Sequence, residues 1–434
     1  MSERVAVVGL WHLGCSLTAS WLRLGNRVTA VEFDGRVVAG LRGGRAPVFE
    51  PGVDDAISEG LRLGSLTLTD EPAAVHDAAF VFVAYDTPVR EDDSSDLTPI
   101  HSSIERVGPH LPADAVVIVS AQLPVGEARR LRERLRALAP TAELVYSPEN
   151  LRLGEAINCY LRPGHIVIGA ESASAGDRVE ALFAPMGARI FRMNLPSAEL
   201  TKHCINSFLA TSVTMANQWA DVATATGADF GDVAAVLRAD PRIGERAYVT
   251  PGIGFSGGTL GRDLRVLDAV NRDVLGGSAP LFGQVWEYNQ RRVEVVARRA
   301  ASLLGGLAKR RLALLGMTYK PGTSTLRRSL PLAVARDMLA KGASVSAHDP
   351  RADWSETRPP AGLLVADSPY AAAEGADLVV LLTEWPEYRE LDFARLASGM
   401  RQRLLFDTKD FLRPHRDALA AAGMRRIVIG APDR

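Results

Sequence analysis

The sequence predicts an α/β protein with two Rossmann-like, doubly wound parallel-sheet domains joined by a long central helical segment. Three observations support this prediction. A buried-strand pattern, a glycine turn and a helical pattern open the chain, the same succession starts again at Arg311, and the stretch between them has long helical periodicity. Short continuous apolar runs separated by helical stretches are typical of parallel sheets that are covered on both faces.

Length and composition agree with an enzyme of ordinary globular type. A chain of 434 residues is too long for a single core, so we expect two or three domains. A formal net charge of −1 argues against nucleic acid or a membrane surface as the main partner. We found no apolar run long enough for a membrane span, no room for a signal peptide before the first strand, and no cysteine framework, so we expect a cytoplasmic protein.

The amino-terminal part reads as a strand, a turn, a helix and a second strand. Residues 5–8 form the first apolar run, residues 15–24 have helical periodicity, and the second strand over 27–31 ends at Glu32. This is a βαβ unit. Further buried-strand runs are predicted over residues 80–83, 115–119, 144–146 and 166–168. We assign residues 1–196 to an NAD-binding Rossmann domain.

The middle and carboxyl-terminal parts complete the predicted organisation. From residue 197 to about 236 the chain has the pattern of one long helix, and we assign 197–300 to a central helical dimerisation domain. A purely internal bridge between domains is the alternative. Residues 312–316 echo 5–9 and residues 345–349 echo 28–34, so 301–434 is predicted to be a second Rossmann-like domain.

The first glycine turn is the candidate cofactor site. Gly9 permits the tight turn and Gly14 lets the helix pack on the strand, and the intervening residues Leu10, Trp11, His12 and Leu13 lead into the helix. A pyrophosphate would rest on the free N–H groups of the helix N-terminus. Trp11 replaces the usual middle glycine, so the motif alone fits an ordinary α/β turn equally well.

The end of the second strand indicates which dinucleotide is bound. Glu32 can accept hydrogen bonds from a ribose diol and would repel a 2′-phosphate, which favours NAD over NADP. Asp34 and Arg36 follow it and are included in the predicted cofactor site, with Arg36 as the alternative partner of a 2′-phosphate. Thr87 closes a later strand, where the ribose end of the cofactor is expected.

The chain resembles the UDP-glucose/GDP-mannose dehydrogenase family over nearly its whole length. The matching stretches are residues 49–52, 147–152, 198–202 with Asn206, 240–244, 254–258, 262–263, 316–323 with Arg327, and 383–385. The resemblance implies oxidation of a primary alcohol on a nucleotide sugar in two hydride transfers. A cysteine captures the intermediate aldehyde as a thiohemiacetal, the second transfer leaves a thioester, and water hydrolyses it.

Lys202 and Asn206 are the candidate stabilisers of negative charge. They are four residues apart on a predicted helix and therefore share a face. A buried ammonium group beside an amide donor is suited to stabilise a developing alkoxide, and the resemblance implies this role. A surface lysine with a capping amide is the alternative.

Two carboxylates are carried over from the resemblance. Asp263 matches the carboxylate that takes up the hydroxyl proton together with an ordered water, and Glu149 matches the one that activates water for thioester hydrolysis. Without the resemblance, each would more simply be a loop or helix-cap carboxylate.

Two positions depart from the family pattern. Thr259 stands where the resemblance places the nucleophilic cysteine, and Gln122 stands where it places a threonine near the reacting carbon and the cofactor. Threonine is a poor nucleophile without an adjacent base. Cys15, Cys159 and Cys204 are interpreted as small buried core residues, since Cys204 points away from Lys202 and Asn206 by helix geometry.

The resemblance also implies a set of substrate and cofactor contacts. Lys409 replaces an arginine and loses its bidentate fork, Asn150 replaces an aromatic residue, and Arg242 would reach the sugar from a neighbouring subunit of a homodimer. Arg327 is placed near the cofactor. The predicted substrate contacts are Asn150, Leu151, Arg152, Lys202, Asn206, Arg242, Tyr248, Gly254, Phe255, Lys320 and Lys409.

Loss of the thiol predicts an NAD-dependent enzyme that stops after one two-electron oxidation of a nucleotide-diphosphate sugar, with no metal. Such a step suits sugar tailoring in specialised metabolism, such as antibiotic biosynthesis. The alternatives are a four-electron 6-dehydrogenase that oxidises an aldehyde hydrate, an epimerase that retains NAD, and a non-catalytic nucleotide-sugar-binding relative.

Overall fold

The chain divides into two compact units, Met1–Cys204 and Ile205–Arg434. The structure is a computed structural model and describes residues 3–87, 95–149 and 151–432. Among these residues, no helix is long and apolar enough to cross a membrane. The boundary between the two units falls inside the helix Leu195–Thr226. The division into three domains at residues 197 and 301 stays a prediction.

The first unit is built on an eight-stranded sheet. Its strands are β1 (Arg4–Val8), β2 (Arg27–Val31), β3 (Leu66–Thr69), β4 (Phe80–Val83), β5 (Val116–Val119), β6 (Glu143–Tyr146), β7 (Ile166–Ala170) and β8 (Ile190–Met193). They lie in the order β3-β2-β1-β4-β5-β6-β7-β8. The first six have the strand order of a dinucleotide-binding Rossmann domain.

Helices cover both faces of this sheet. They are α1 (His12–Arg23), α2 (Gly35–Arg42), α3 (Val53–Leu63), α4 (Thr98–Val107), α5 (Glu127–Leu138), α6 (Ala156–Leu161) and α7 (Ala173–Phe183). Successive residues of β1 enter two different cores, Val5 and Val7 on one face and Ala6 and Val8 on the other. This alternation explains why the strand reads as a continuous apolar run.

The second unit combines helices with a six-stranded parallel sheet in the order β11-β10-β9-β12-β13-β14. The helical elements are α8 (Leu195–Thr226), which begins in the first unit, α9 (Phe230–Ala239), α10 (Thr259–Asp273) and α11 (Leu281–Leu304). The strands are β9 (Arg311–Leu315), β10 (Ser344–His348), β11 (Leu363–Val365), β12 (Leu378–Leu381), β13 (Leu404–Asp407) and β14 (Arg425–Val428). They alternate with α12 (Leu330–Ala340), α13 (Pro369–Ala373), α14 (Phe393–Gly399) and α15 (Arg416–Ala421).

The predicted fold class is confirmed, with two differences in detail. The strands β6 and β7 pair antiparallel, whereas every other paired strand in the described residues runs parallel. The single helix expected from residue 197 to about 236 was wrong. Gly227 adopts a left-handed φ of 77° and ends α8, and the Asp229 side chain then accepts the Gly231 N–H to start α9.

Candidate active site

The conformation of the turn between β1 and α1 requires glycine at positions 9 and 14. Gly9 has a φ of 92°, and a Cβ atom on Gly14 would lie 1.7 Å from the Gly9 carbonyl oxygen. Trp11 has a φ of −87° and a side chain that is 48% exposed. The middle position therefore accepts a side chain, because its backbone is in an ordinary conformation and its indole ring turns toward solvent.

Glu32 holds the turn from the end of β2. Its buried carboxylate accepts the Leu10 N–H at 2.6 Å and the Asp34 N–H at 3.0 Å. Each carboxylate oxygen can accept more than one hydrogen bond, so Glu32 has capacity left for a ribose diol. These features fit a dinucleotide whose pyrophosphate rests at the start of α1.

Asp34 and Arg36 lie at the surface beside this turn. The Asp34 side chain accepts the Arg36 N–H, and the guanidinium group pairs with the same carboxylate at 2.8 Å. This hydrogen bonding to Arg36 lowers the pKa of Asp34 and raises the pKa of Arg36. Arg36 is thus engaged by Asp34 in this structure, although its exposed side chain is long enough to exchange partners.

Sequence reasoning missed Asp86, which lies at the start of α1. Its carboxylate accepts the Leu13 N–H at 3.0 Å, although the two residues are far apart in sequence. Burial raises the pKa of Asp86, and the nearby Glu149 acts in the same direction, whereas the N–H of Leu13 and the charge of His12 lower it. The only available sequence signal was its place just before Thr87.

His12 is held by a second carboxylate, that of Glu50, which belongs to the matching stretch 49–52. The His12 Nε2 atom lies 2.9 Å from Glu50 Oε2, and the buried Glu50 also accepts the N–H groups of Gly154 and Ala156 at 2.9 Å. Burial of Glu50 opposes ionisation, but these hydrogen bonds together lower its pKa. Glu50 therefore orders the start of α1 and the start of α6 at once.

Thr87 and Gln122, both predicted near the cofactor, are in direct contact. The Thr87 hydroxyl donates to the Gln122 carbonyl oxygen at 2.9 Å. The Gln122 side-chain nitrogen lies 3.4 Å from Nδ1 of His203, whose Nε2 atom lies 2.9 Å from the Leu123 carbonyl oxygen. Because a carbonyl only accepts, the Nε2 atom carries a proton, and in that tautomer Nδ1 accepts from the Gln122 amide.

Lys202 lies against the segment that follows β6. Its buried Nζ atom donates to the Glu149 carbonyl oxygen at 2.5 Å, and the Glu149 carboxylate accepts the Leu151 N–H. Glu149, Leu151, Arg152 and Cys159 line a cavity of about 290 Å³ in the first unit. Asn150 lies outside the described residues.

In the second unit, Asn206 and Asp263 are in direct contact. The Asn206 amide donates to the carboxylate of Asp263, which has no exposed surface and also meets the Arg262 guanidinium at 3.4 Å. Thr259 is the first residue of α10 and is exposed, one helical turn before Asp263. The position at which the resemblance places the nucleophile therefore begins a helix.

Asn289 on α11 holds the segment before α10 by hydrogen bonds. The sequence predicted no role for this residue. Its side chain accepts the Phe255 N–H and donates to the Phe255 carbonyl oxygen, both at 2.9 Å. Gly254 has a φ of 103°, and a Cβ atom there would lie 2.4 Å from Asn289 Oδ1. Gly254 is therefore required both by its backbone conformation and by the close approach of α11.

The residues predicted at the nucleotide end are spread over the second unit. Lys409 pairs with Glu384 at 2.5 Å, and Lys320 lies over the Tyr319 ring. Arg242 forms an exposed ion pair with Asp240 at 2.6 Å. Tyr248 and Arg327 are exposed. Their assigned roles toward substrate and cofactor stay predictions.

In the second unit, the turn that follows β9 resembles the turn between β1 and α1, but no helix follows it directly. Asp349, after β10, accepts the N–H groups of Met317 at 2.6 Å and Thr318 at 2.9 Å, much as Glu32 accepts that of Leu10. Residues 317–329 then form an irregular connection of bends and turns before α12 begins at Leu330. This turn therefore lacks the adjoining helix N-terminus on which a pyrophosphate is expected to rest in the first unit.

The expectation that all three cysteines are buried was wrong. Cys15 is buried, but Cys159 is half-buried and Cys204 is exposed. Helix periodicity gave the direction of Cys204 relative to Lys202 but not what covers that side of α8. Burial of Cys15, with the nearby Asp86 and Glu32 carboxylates, raises the pKa of its thiol. In the described residues, no group of His, Cys, Asp and Glu side chains could hold a metal ion.

The strand order, the glycine turn and the acidic end of β2 define a dinucleotide-dependent oxidoreductase. Comparison with family models identifies the particular family. Residues 3–187 match the NAD binding domain of the UDP-glucose/GDP-mannose dehydrogenase family, residues 196–291 match its central domain, and residues 313–414 match its UDP binding domain. The chain belongs to this family and is an NAD-dependent enzyme of the nucleotide-sugar dehydrogenase class.

Individual relatives cover the chain almost completely. A UDP-glucose 6-dehydrogenase of Pseudomonas aeruginosa is 34% identical over 99% of this chain and 98% of its own length. A UDP-glucose 6-dehydrogenase of Rhizobium meliloti is 31% identical over 99% of this chain and 100% of its own. The solved structure of a UDP-glucose dehydrogenase from Pyrobaculum islandicum superposes with a TM-score of 0.86 at 27% identity, covering 94% of each chain.

Proposed function

We propose that this chain catalyses a single two-electron oxidation of a nucleotide-activated sugar, from an alcohol to a ketone or an aldehyde. The observation that carries the proposal is Thr259, which stands where the family resemblance places a nucleophilic cysteine. Bound NAD accepts a hydride, and this transfer requires no thiol. Capture of an aldehyde as a thiohemiacetal, which a second hydride transfer to NAD would oxidise to a thioester, does require a thiol, so the expected product is a carbonyl compound.

In this proposal the retained side chains handle the alkoxide and its proton. The ammonium group of Lys202 and the amide of Asn206 stabilise negative charge on the sugar oxygen, and Asp263 receives the hydroxyl proton through a water molecule. The complete burial of Asp263 and its contact with Asn206 support this assignment, because fixed polar groups act more strongly when they are shielded from water.

The remaining thiols are poor substitutes for a cysteine at position 259. A thiolate is the reactive form, and the raised pKa of Cys15 keeps it protonated. Cys204 is exposed and lies two residues from Lys202, about 200° around α8. Cys159 lines the same cavity as Glu149, so it is the thiol to replace first when covalent trapping is tested.

A second candidate is a four-electron oxidation to the uronic acid, without a thiol or with Cys159 in its place. The names of the Pseudomonas and Rhizobium relatives, both UDP-glucose 6-dehydrogenases, favour this candidate and make UDP-glucose the first substrate to test. An epimerase that retains NAD would release no net NADH. A non-catalytic relative would bind a nucleotide sugar and leave it unchanged.

One experiment separates these functions. The protein is incubated with NAD and a panel of nucleotide sugars, NADH is counted per sugar consumed, and the products are weighed. One NADH with a mass loss of about 2 Da supports the two-electron reaction, whereas two NADH with a gain of about 14 Da supports the acid. No net NADH with an isomeric product indicates the epimerase, and unchanged sugar indicates a binding protein.

We further propose that the enzyme is a homodimer in which Arg242 reaches the neighbouring active site. Phe208, Met215, Trp219 and Val222 are exposed on α8 at spacings that place them on one face of the helix. A contiguous apolar face of this kind favours a partner surface. The proposed reaction suits sugar tailoring in specialised metabolism, including antibiotic biosynthesis.

A further inference from the structure

The start of α1 is occupied by a carboxyl group of the protein itself. In an α-helix the first N–H groups have no partner within the helix, and together with the helix dipole they attract an anion. The Asp86 carboxylate accepts the Leu13 N–H at 3.0 Å, so one of these groups is already engaged. The same terminus follows the turn at Gly9, which Glu32 holds through the Leu10 N–H, and the NAD pyrophosphate is expected there.

The groups around Asp86 determine whether its carboxyl group is charged or neutral. His12 on α1 can supply positive charge, but its ring is engaged by Glu50 at 2.9 Å. Glu149, after β6, adds negative charge near Asp86. Glu32 accepts the Leu10 N–H of the same turn, and the Cys15 thiol on α1 is close enough to sense both Asp86 and Glu32. Burial is the largest influence on Asp86, and it favours the neutral acid.

A pyrophosphate brings further negative charge to the same N–H groups. Two anions at one helix terminus repel each other, and the repulsion is strong because the site is partly shielded from water. A neutral Asp86 removes this repulsion and can donate a hydrogen bond to a phosphate oxygen. We propose that NAD binds to the form of the protein in which Asp86 carries a proton, so that cofactor binding takes up a proton and weakens as the pH rises.

The sign of the pH dependence follows from linkage. At a pH below the point where Asp86 ionises in the cofactor-free protein, the residue is already neutral and NAD affinity is constant. Above that point each molecule of NAD must bring in one proton, so the dissociation constant rises by up to about tenfold per pH unit. His12 is the competing explanation, because a protonated imidazole near the pyrophosphate would give the same sign.

Calorimetric titration of the full chain with NAD tests the proposal. Titrations from about pH 5.5 to 8.5, each in two buffers of different ionisation enthalpy, measure both the dissociation constant and the protons taken up. The wild type should take up close to one proton in the upper part of this range. Asp86→Asn keeps an acceptor for the Leu13 N–H without the charge, so it should take up none and should bind NAD at least about tenfold more tightly at high pH.

The matched control is His12→Gln, which removes the competing titratable group. It should keep the proton uptake and the pH slope, with the slope beginning at a higher pH because the charge of His12 lowers the pKa of Asp86. Asp86→Ser provides a second neutral variant should Asp86→Asn fold poorly, as judged by thermal unfolding. The proposal is overturned when the wild type binds NAD with constant affinity and no proton uptake. It is equally overturned when the slope survives in both Asp86 variants or disappears in His12→Gln.

Discussion

The ammonium group of Lys202 and the hydroxyl group of Thr259 differ in what each can do for a hydride transfer. Lys202 is buried and is held at the Glu149 carbonyl oxygen, whereas Thr259 is exposed at the start of α10. Lys202→Ala is expected to lose at least about 2.7 kcal/mol of transition-state stabilisation, as removal of an oxyanion donor does. Thr259→Ala should reduce kcat/KM only modestly, and steady-state kinetics of both variants measures the difference.

A Thr259→Ala variant as inactive as Lys202→Ala would mean that the threonine takes part in the chemistry. Thr259→Cys gives the complementary result, since a thiol at this position should form a covalent intermediate only with a substrate that presents an aldehyde. Intact-protein mass spectrometry detects that adduct. Two NADH per sugar from the wild type would overturn the two-electron proposal.

Glu32 is expected to set the preference between NAD and NADP. Its carboxylate ends β2 and is buried, so a 2′-phosphate placed beside it would meet an unfavourable negative charge. Calorimetry should find NAD bound much more tightly than NADP, and Glu32→Gln should narrow the gap by about tenfold, or about 1.4 kcal/mol. Asp77→Asn, which removes a surface carboxylate paired with Arg4, is the control. Equal affinities in the wild type would point to Arg36 as a phosphate partner.

At the scale of elements, the packing of α11 against residues 254–255 controls the shape of the segment that carries Thr259. Asn289→Ala would leave the N–H and the carbonyl oxygen of Phe255 without their partner, at a cost of about 1 to 3 kcal/mol each when buried. Denaturant unfolding measures the loss of stability, and the KM for the nucleotide sugar should rise as well.

The control for this variant is Ser212→Ala, which removes an exposed hydrogen bond to the Phe208 carbonyl oxygen on α8. It should stay within about 0.5 kcal/mol of the wild type. An Asn289→Ala protein as stable as Ser212→Ala would mean that water replaces both bonds, and that the loop does not depend on α11.

At the scale of the whole molecule, the exposed apolar face of α8 predicts a dimer. Light scattering at micromolar concentration should give twice the chain mass for the wild type. Phe208→Glu combined with Val222→Glu should shift the protein toward the monomer, because burial of two carboxylates in an interface is unfavourable. Leu364→Glu, on the exposed part of β11, is the control and should remain dimeric. An active wild-type monomer would remove the shared role of Arg242.

The sequence by itself determined the strand-turn-helix-strand opening of the first Rossmann-like unit, the first two strands of the second, and the class of cofactor. These features depend on local patterns, since residues 5–8 must be buried on both faces of a sheet and Gly9 and Gly14 must meet across a turn. The break of α8 at Gly227 was also present in the sequence, as a glycine followed by the capping residue Asp229.

Only the tertiary structure decided which distant groups meet. Asp86 reaches the start of α1 from the end of β4, Asn289 reaches Phe255 from α11, and the direction of β7 is set by its pairing with β6. The exposure of Cys204 could likewise not be predicted from the sequence, because helix periodicity gives the direction of a side chain but not what covers it. Such contacts depend on how whole elements pack against one another. No local pattern of residue types shows which residues far apart in sequence will meet.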